Sequence, residues 1–255
     1  MFWTSAFLDF APESFVPGVT HWRRVTGYAL SAARGQRGEF ATLVPPDGDD
    51  YLRVQRLVEG PDRVHLDLHV TDPHAEAGRA QELGARVVAD PGHVVMTSPG
   101  GLTFCFVTHR ASRPPAPASW YDGQRARGHR SVVDQVCLDI PSSRYETECR
   151  FWAALTGWEL RPSPTHAEFR RLVRPAGQPL HLLLQRLGED LGPVRAHLDL
   201  ATDDRAAETR RHVALGAEVV GVHDSWTVLT APGTPAYCLT DRRPETRVPG
   251  VGAPR

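Results

Sequence analysis

The feature that most constrains this chain is that it repeats itself. With a period of about 130 residues, Leu8-Asp9-Phe10 answers Leu138-Asp139-Ile140, Trp22 answers Trp152, and Gly27-Tyr28 answers Gly157-Trp158. The register continues through Glu39-Phe40 and Glu168-Phe169, then through the identical triplets Gln55-Arg56-Leu57 and Gln185-Arg186-Leu187. It is strongest where His65-Leu66-Asp67-Leu68 recurs as His197-Leu198-Asp199-Leu200, and it closes with Phe104-Cys105-Phe106 against Tyr237-Cys238-Leu239. A period this long is a duplicated domain rather than a solenoid. At 255 residues and 41% hydrophobic content the chain can supply two modest domains. The expected boundaries are 1–109 and 132–243, each half with its own core. A Pro/Gly/Arg-rich linker at 110–131, expected to be exposed, joins them, and a tail follows at 244–255.

Each half reads as one series of elements. A short alternating strand at 6–10 or 136–140 precedes a helix, which in the second copy covers about 143–155 and is capped by Gly157. Two strands follow, near 39–44 and 51–57, repeated near 168–173 and 180–187. The HLDL strand then leads into an Ala/Arg/Glu-rich helix, started by Asp72 or Asp203 and ended by Gly84 or Gly216, with three short strands after it. Each half thus holds two strand-helix-strand units.

Composition narrows the function classes. The 29 basic and 30 acidic residues nearly cancel and form no long single-sign run, so nucleic acid and anionic membranes are not the expected partners and a small molecule is. Every basic residue is Arg, so no lysine Schiff base can form. The start MFWTSAFLDF lacks the layout of a secretory leader and no stretch has membrane-spanning length, so a soluble cytoplasmic protein is expected, as monomer or homodimer. Cys105, Cys137, Cys149 and Cys238 have neither CxxC spacing nor disulfide-scaffold density and are expected to be reduced.

The segments Arg63-Val64-His65-Leu66-Asp67-Leu68, Leu83-Gly84-Ala85-Arg86-Val87-Val88, Phe151-Trp152-Ala153-Ala154-Leu155-Thr156-Gly157-Trp158 and Trp226-Thr227-Val228-Leu229 carry a resemblance. The chain resembles the vicinal oxygen chelate superfamily of glyoxalases, extradiol dioxygenases and bleomycin-type resistance proteins, in particular its actinobacterial glyoxalase-like branch. The resemblance covers all but the linker and tail. It implies an α+β fold of two tandem glyoxalase-like domains, each of two βαβββ units forming a cupped mixed sheet flanked by helices. In metal-using members four strand residues in the cup hold a divalent ion that chelates neighbouring substrate oxygens. Carried onto this chain, those positions fall on Ser5, Gln55, His65 and Cys105 in the first cup and on Gln135, Gln185, His197 and Cys238 in the second. The carboxylates usual in such sites are missing from this set. Cys stands where a Glu would, after turns reading Ser98-Pro99-Gly100-Gly101 and Ala231-Pro232-Gly233-Thr234. With one His and one Cys per cup, no tightly held metal is expected in either, and the second cup is the place for a divalent ion if one binds.

Strand alternation puts His65, Asp67 and His69 on one side of their strand, and His197 with Asp199 on the corresponding side of theirs. A carboxylate beside an imidazole favours its charged form, which makes His197 and Asp199 the catalytic candidates; the alternative is a hydrogen-bond network under the sheet. Gln55, His65, Asp67, Arg53 and Cys105 are expected to line the first cup, where Arg53 serves an anionic ligand or simply partners Asp67. Trp226 and its counterpart His93 are placed at pocket mouths, and Trp22 and Trp152 in the core. Cys105 and Cys238 read as small buried residues rather than nucleophiles. The leading expectation is a lyase or isomerase working by proton transfer in the second cup. The alternatives are a non-catalytic sequestration protein of the bleomycin-resistance type, or a chain in which one half only completes the other.

Overall fold

The computed structural model describes residues 1–121 and 128–244. The expected tail therefore lies outside the described residues apart from Pro244, as does the 122–127 portion of the expected linker.

The first half runs β1 (Trp3–Phe10), α1 (Phe15–Thr26), β2 (Ala29–Leu30), β3 (Phe40–Val44) and β4 (Leu52–Arg56). It then restarts as β5 (Arg63–His69), α2 (Pro73–Glu82), β6 (Arg86–Ala89), β7 (Val94–Thr97) and β8 (Thr103–Val107). The second half repeats this from β10 (His129–Ile140), after the short β9 (Ala118–Trp120): α3 (Tyr145–Thr156), β11 (Glu159–Pro162), β12 (Phe169–Val173) and β13 (His181–Arg186). The last unit is β14 (Arg195–Thr202), α4 (Arg205–Ala214), β15 (Glu218–Val222), β16 (Trp226–Ala231) and β17 (Thr234–Thr240). The short strands β2 and β11 extend the two-strand reading of each first unit and make all four units βαβββ. This is the α+β, two-sheet architecture that the family resemblance implied.

Each half forms one mixed sheet, in the orders β2-β3-β4-β1-β5-β8-β7-β6 and β11-β12-β13-β10-β14-β17-β16-β15. The two units of a half meet along an antiparallel pair, β1 with β5 and β10 with β14, flanked by parallel neighbours β4 and β8 or β13 and β17. Ala6, Leu8 and Phe10 of β1 face the core, and the alternating Phe7 and Asp9 face the concave side, because side chains alternate along a strand.

The core is not two cores. One connected apolar cluster runs through both halves, because the first helix of each half packs against the other half's sheet. Phe104 of β8 meets Phe151 and Trp152 of α3 at ring separations of 5.9 and 5.3 Å, and Trp22 of α1 meets Tyr237 of β17 at 5.2 Å. The repeat makes this interface pseudo-symmetric, with informative differences. Glu148 of α3 accepts from the Gly100 amide in the β7–β8 turn at 2.5 Å. Its counterpart in α1 is Gly18, and there a Cβ would lie 2.3 Å from the Gly233 carbonyl oxygen, so the missing side chain permits direct backbone contact.

Two further expectations change. Asp204, not Asp203, caps α4 by accepting from the Ala207 amide, while Asp203 binds Arg130. The expected linker is not exposed throughout: Ala111 is buried and β9 adds to the second sheet at the start of β10. Trp120 donates to Ser131 Oγ at 2.8 Å and lies under the Arg211 guanidinium at 3.7 Å, which is what draws this segment in. The four cysteines are free and buried. No helix among the described residues is long and apolar enough to cross a membrane.

Candidate functional site

The second cup is built on three adjacent strands. The β10–β14 register places Cys137 opposite His197 and Gln135 opposite Asp199, and the β14–β17 register places Cys238 beside Asp199. His197 Nδ1 lies 2.9 Å from Asp139 Oδ2, and its Nε2 lies 3.3 Å from Asp199 Oδ1 and 3.7 Å from Cys238 Sγ. Asp199 is held through its other oxygen, which accepts from Gln135 Nε2, with Arg242 Nη1 at 4.0 Å. Each of the two central groups is therefore anchored on one atom and leaves another, Nε2 or Oδ1, toward the cup. Asp199 Oδ1 is buried and makes no hydrogen bond.

Apolar walls rise around this floor. Leu183, Phe169 and Trp226 line a 440 Å³ cavity, in which Trp226 meets Phe169 edge-on at 5.8 Å and His166 at 5.4 Å and stacks on His223 at 4.4 Å. Polar and charged side chains, Gln135, Gln185, Arg171 and Arg242 among them, line the rest, and a space of this size and make-up suits a small molecule with a flat apolar body and polar oxygens.

The first cup repeats the constellation with different surroundings, in a 430 Å³ cavity. His65 Nδ1 and Arg63 Nε both lie 2.9 Å from Asp9 Oδ2, and His65 Nε2 is 3.7 Å from Asp67. Phe7, where the second cup has Cys137, stacks on the His65 ring at 4.7 Å and covers it. Arg53 reaches Asp67 at 3.3 Å and Asp50 at 3.1 Å, so it is the internal partner of Asp67.

The electrostatics differ in one respect. Burial opposes charge on His197, but the Cys137 sulfur, the bond to Asp139 and the close Asp199 carboxylate outweigh it and hold the ring's pKa well above the ordinary value. His65 is also held high, against burial, chiefly by Asp9. Asp199 is held low, since the His197 contact overcomes the burial that would neutralise it, whereas burial pushes Asp67 up despite His65 and Arg53. The second cup thus keeps the firmer carboxylate. Burial also raises both thiols, Cys105 and Cys238, and pushes Cys137 to about 12, so none is a ready thiolate nucleophile.

The structure brings together His65, Asp67 and Cys105, with Gln55 and Arg53 beside them, and likewise His197, Asp199 and Cys238, with Trp226 and His93 lining their respective cavities. It does not bring Ser5 to the first cup: its hydroxyl pairs with His69 Nε2 at 2.8 Å, and Phe7 and Asp9 take the β1 positions facing the cavity. Gln135 and Gln185 line the second cavity but turn away from a shared ligand point. The amide nitrogen of Gln135 is spent on Asp199 and the oxygen of Gln185 accepts from Cys137 at 3.6 Å. Sequence reasoning gave no role to Asp9 and Asp139, although both stand in the repeated triplets Leu8-Asp9-Phe10 and Leu138-Asp139-Ile140; a charged residue repeated inside a buried strand was the signal.

This alters the metal argument. His197 Nε2, Asp199 Oδ1 and Cys238 Sγ lie within 4.8 Å of one another, and donors sharing one ion stand roughly 3–4.5 Å apart. Asp199 replaces the two Gln as the third donor and supplies the carboxylate charge that the Gln-based set lacked, beside a Cys238 thiol that would give up its proton to a bound ion. Oδ1, buried without a hydrogen bond and facing only His197 Nε2, and the His/Asp/Cys set fit a divalent ion of borderline softness.

Two cupped sheets of paired βαβββ units, each with a His–Asp–Cys floor, define a class, and comparison agrees. The family model for the glyoxalase-like domain matches residues 7–107 and 135–240, and the chain belongs to that family. The fold is similar to the Mn(II)-bound glyoxalase from Novosphingobium aromaticivorans (TM-score 0.61, 16% identity, 94% of this chain and 82% of that one). It is also similar to the 2,2',3-trihydroxybiphenyl 1,2-dioxygenase of Sphingomonas wittichii (TM-score 0.58, 16% identity, 92% and 88%) and to a mutant 4-hydroxymandelate synthase from Streptomyces coelicolor (TM-score 0.59, 16% identity, 95% and 93%). Among curated proteins none matches this sequence.

Proposed function

We propose that the second cup binds a small molecule with a flat apolar body and neighbouring oxygens, and acts on it by proton transfer as a lyase or isomerase. The observation that carries this reading is the anchoring of His197 by Asp139 and of Asp199 by Gln135, which leaves Nε2 and Oδ1 3.3 Å apart at the end of the aromatic cavity. Such a pair holds one proton between an imidazole and a carboxylate and can deliver it to, or accept it from, a ligand atom placed between them. Trp226, Phe169 and Leu183 position the apolar body and keep water from the proton. In place of that proton, and on the same two atoms, His197 and Asp199 would with Cys238 hold a divalent cation, and what such an ion would supply is polarisation of a ligand oxygen.

One observation favours the second reading, sequestration without turnover. Both His197 nitrogens face carboxylates of the chain itself, so the ring is committed to internal pairing rather than to moving a proton to a ligand. Exchange of the carbon-bound proton next to the carbonyl of 2-hydroxyacetophenone in deuterated water, followed by NMR, separates the two. Proton transfer predicts exchange that is lost in Asp199→Asn and His197→Gln; sequestration predicts binding with no exchange.

A further inference from the structure

A cavity larger than either cup lies outside both. It measures 830 Å³ and lies between the halves, with Tyr51 and residues 112–115 on one side and the β10 bulge and the β12–β13 hairpin on the other.

Three features give it a chemistry. Arg113, Arg171 and Arg174 line it. Arg113 lies 3.4 Å from Asp47 and Arg174 donates to the Gln178 carbonyl, but Arg171 forms no ion pair among the described residues. Among the described residues the one lining carboxylate, Asp134, is already bound by Arg242. Burial and the nearby arginines depress His181 to about 3, so it stands there as a neutral ring.

The second feature is Gln178, which is only 4% exposed yet has a side-chain Oε1 without a hydrogen-bond partner. A buried acceptor left unmet is destabilising, and a donor on a bound molecule would recover that loss. The third is rigidity. Pro114, Pro115, Pro175 and Pro179 form part of the wall, so little order must be created on binding.

We infer that this inter-half cavity is a second binding site, for a small organic oxyanion, a phosphate ester or hydroxycarboxylate, that also carries a hydroxyl. Guanidinium groups match the oxyanion, Gln178 Oε1 takes the hydroxyl, and the volume exceeds what a bare ion fills. Arg171 and His181 also line the second cup, so the two sites share a wall, but the inference stands whatever the cup does.

Calorimetric titration at low salt with citrate, glucose 6-phosphate and inorganic phosphate tests it. One saturable site per chain is expected for the two hydroxylated organic anions, each tighter than phosphate. Arg171→Glu should weaken both by about tenfold or more through loss of a charge-assisted contact. Gln178→Leu removes an unsatisfied buried acceptor, so the protein should remain folded while binding weakens several-fold. Arg23→Glu makes the same charge change on the exposed face of α1 and should leave binding unaltered. No saturable binding of any probe at millimolar concentration, phosphate binding as tightly as the organic anions, equal weakening by Arg171→Glu and Arg23→Glu, or indifference to Gln178→Leu would each overturn the inference.

Discussion

Arg79 and Arg211 occupy the same place in the two copies and make the same contact from opposite sides of the interface between the halves. Arg79 donates to the carbonyls of Ala154 and Leu155 at the end of α3, and Arg211 to those of Arg24 and Val25 at the end of α1. A cation placed on the last carbonyls of a helix satisfies orphan acceptors and complements its dipole. Arg211 is the more buried and also holds Glu208, which has no exposure at all. Arg211→Ala should therefore cost about 2–3 kcal/mol and Arg79→Ala about 1 kcal/mol in urea unfolding.

Gly18→Ala sets helix propensity against packing. Propensity alone favours Ala by about 1 kcal/mol. The new methyl would meet the Gly233 carbonyl at 2.3 Å and the Phe10 ring at 2.5 Å, and overpacking of this kind costs about 1–3 kcal/mol. A net loss of stability is expected from thermal unfolding, whereas Gly78→Ala on α2, with open space around it, should stabilise.

The interface also predicts a pH dependence. His21 and His212 both bind the Tyr237 hydroxyl, at 3.0 and 2.9 Å, and His212 reaches Glu208 at 3.1 Å. Burial, with help from His212 and Arg211, depresses His21 to about 4; burial likewise lowers His212, while contacts with Arg211 and His212 depress Glu208 against its burial. The unfolded histidines take up protons near pH 6.5 and the folded ones do not, so stability falls as pH drops from 6.5 toward 4, and Glu208 adds a further loss below its own unfolded value. The equivalent of His21 in the other copy is Phe151, packed on Phe104. His21→Phe should make the fall between pH 6.5 and 4.5 shallower by about 1–2 kcal/mol in unfolding measured across that range.

Much of this was legible in the repeat. Matching Gln185-Arg186-Leu187 to Gln55-Arg56-Leu57 set the order of elements, and alternation along the HLDL strands put each His and Asp on one face. What escaped was whatever depends on pairing between strands far apart in sequence. Ser5 has the right phase on β1, but the antiparallel register sets Phe7, not Ser5, opposite His65, moving the cup floor along the strand. Asp139 reaches His197 diagonally, across that same register. The contact of α1 with the second sheet could not be read from periodicity, because Trp22 is as apolar facing one sheet as the other. Composition marked residues 110–131 as a linker without disclosing that Trp120 has a cation to lie under.

Asp139→Asn probes how His197 is oriented. The amide keeps a hydrogen-bonding group at Nδ1 but replaces the carboxylate whose bond is, after the Cys137 sulfur, among the contacts that raise the ring's pKa. Loss of such an outer partner ordinarily costs about 10–100-fold in site affinity or activity. A lower imidazole pKa by NMR should accompany a similar loss in the exchange rate of 2-hydroxyacetophenone.

The central claim is that the second cup, not the first, receives the small molecule, and steric blocking tests it most directly. Leu183 and Val95 are half-buried strand residues that line the second and first cavities. Ligand-detected NMR with catechol and 2-hydroxyacetophenone should show binding to the unaltered protein and to Val95→Trp, and none to Leu183→Trp. Binding that survives Leu183→Trp and vanishes in Val95→Trp, or that is absent from the unaltered protein, would contradict the account.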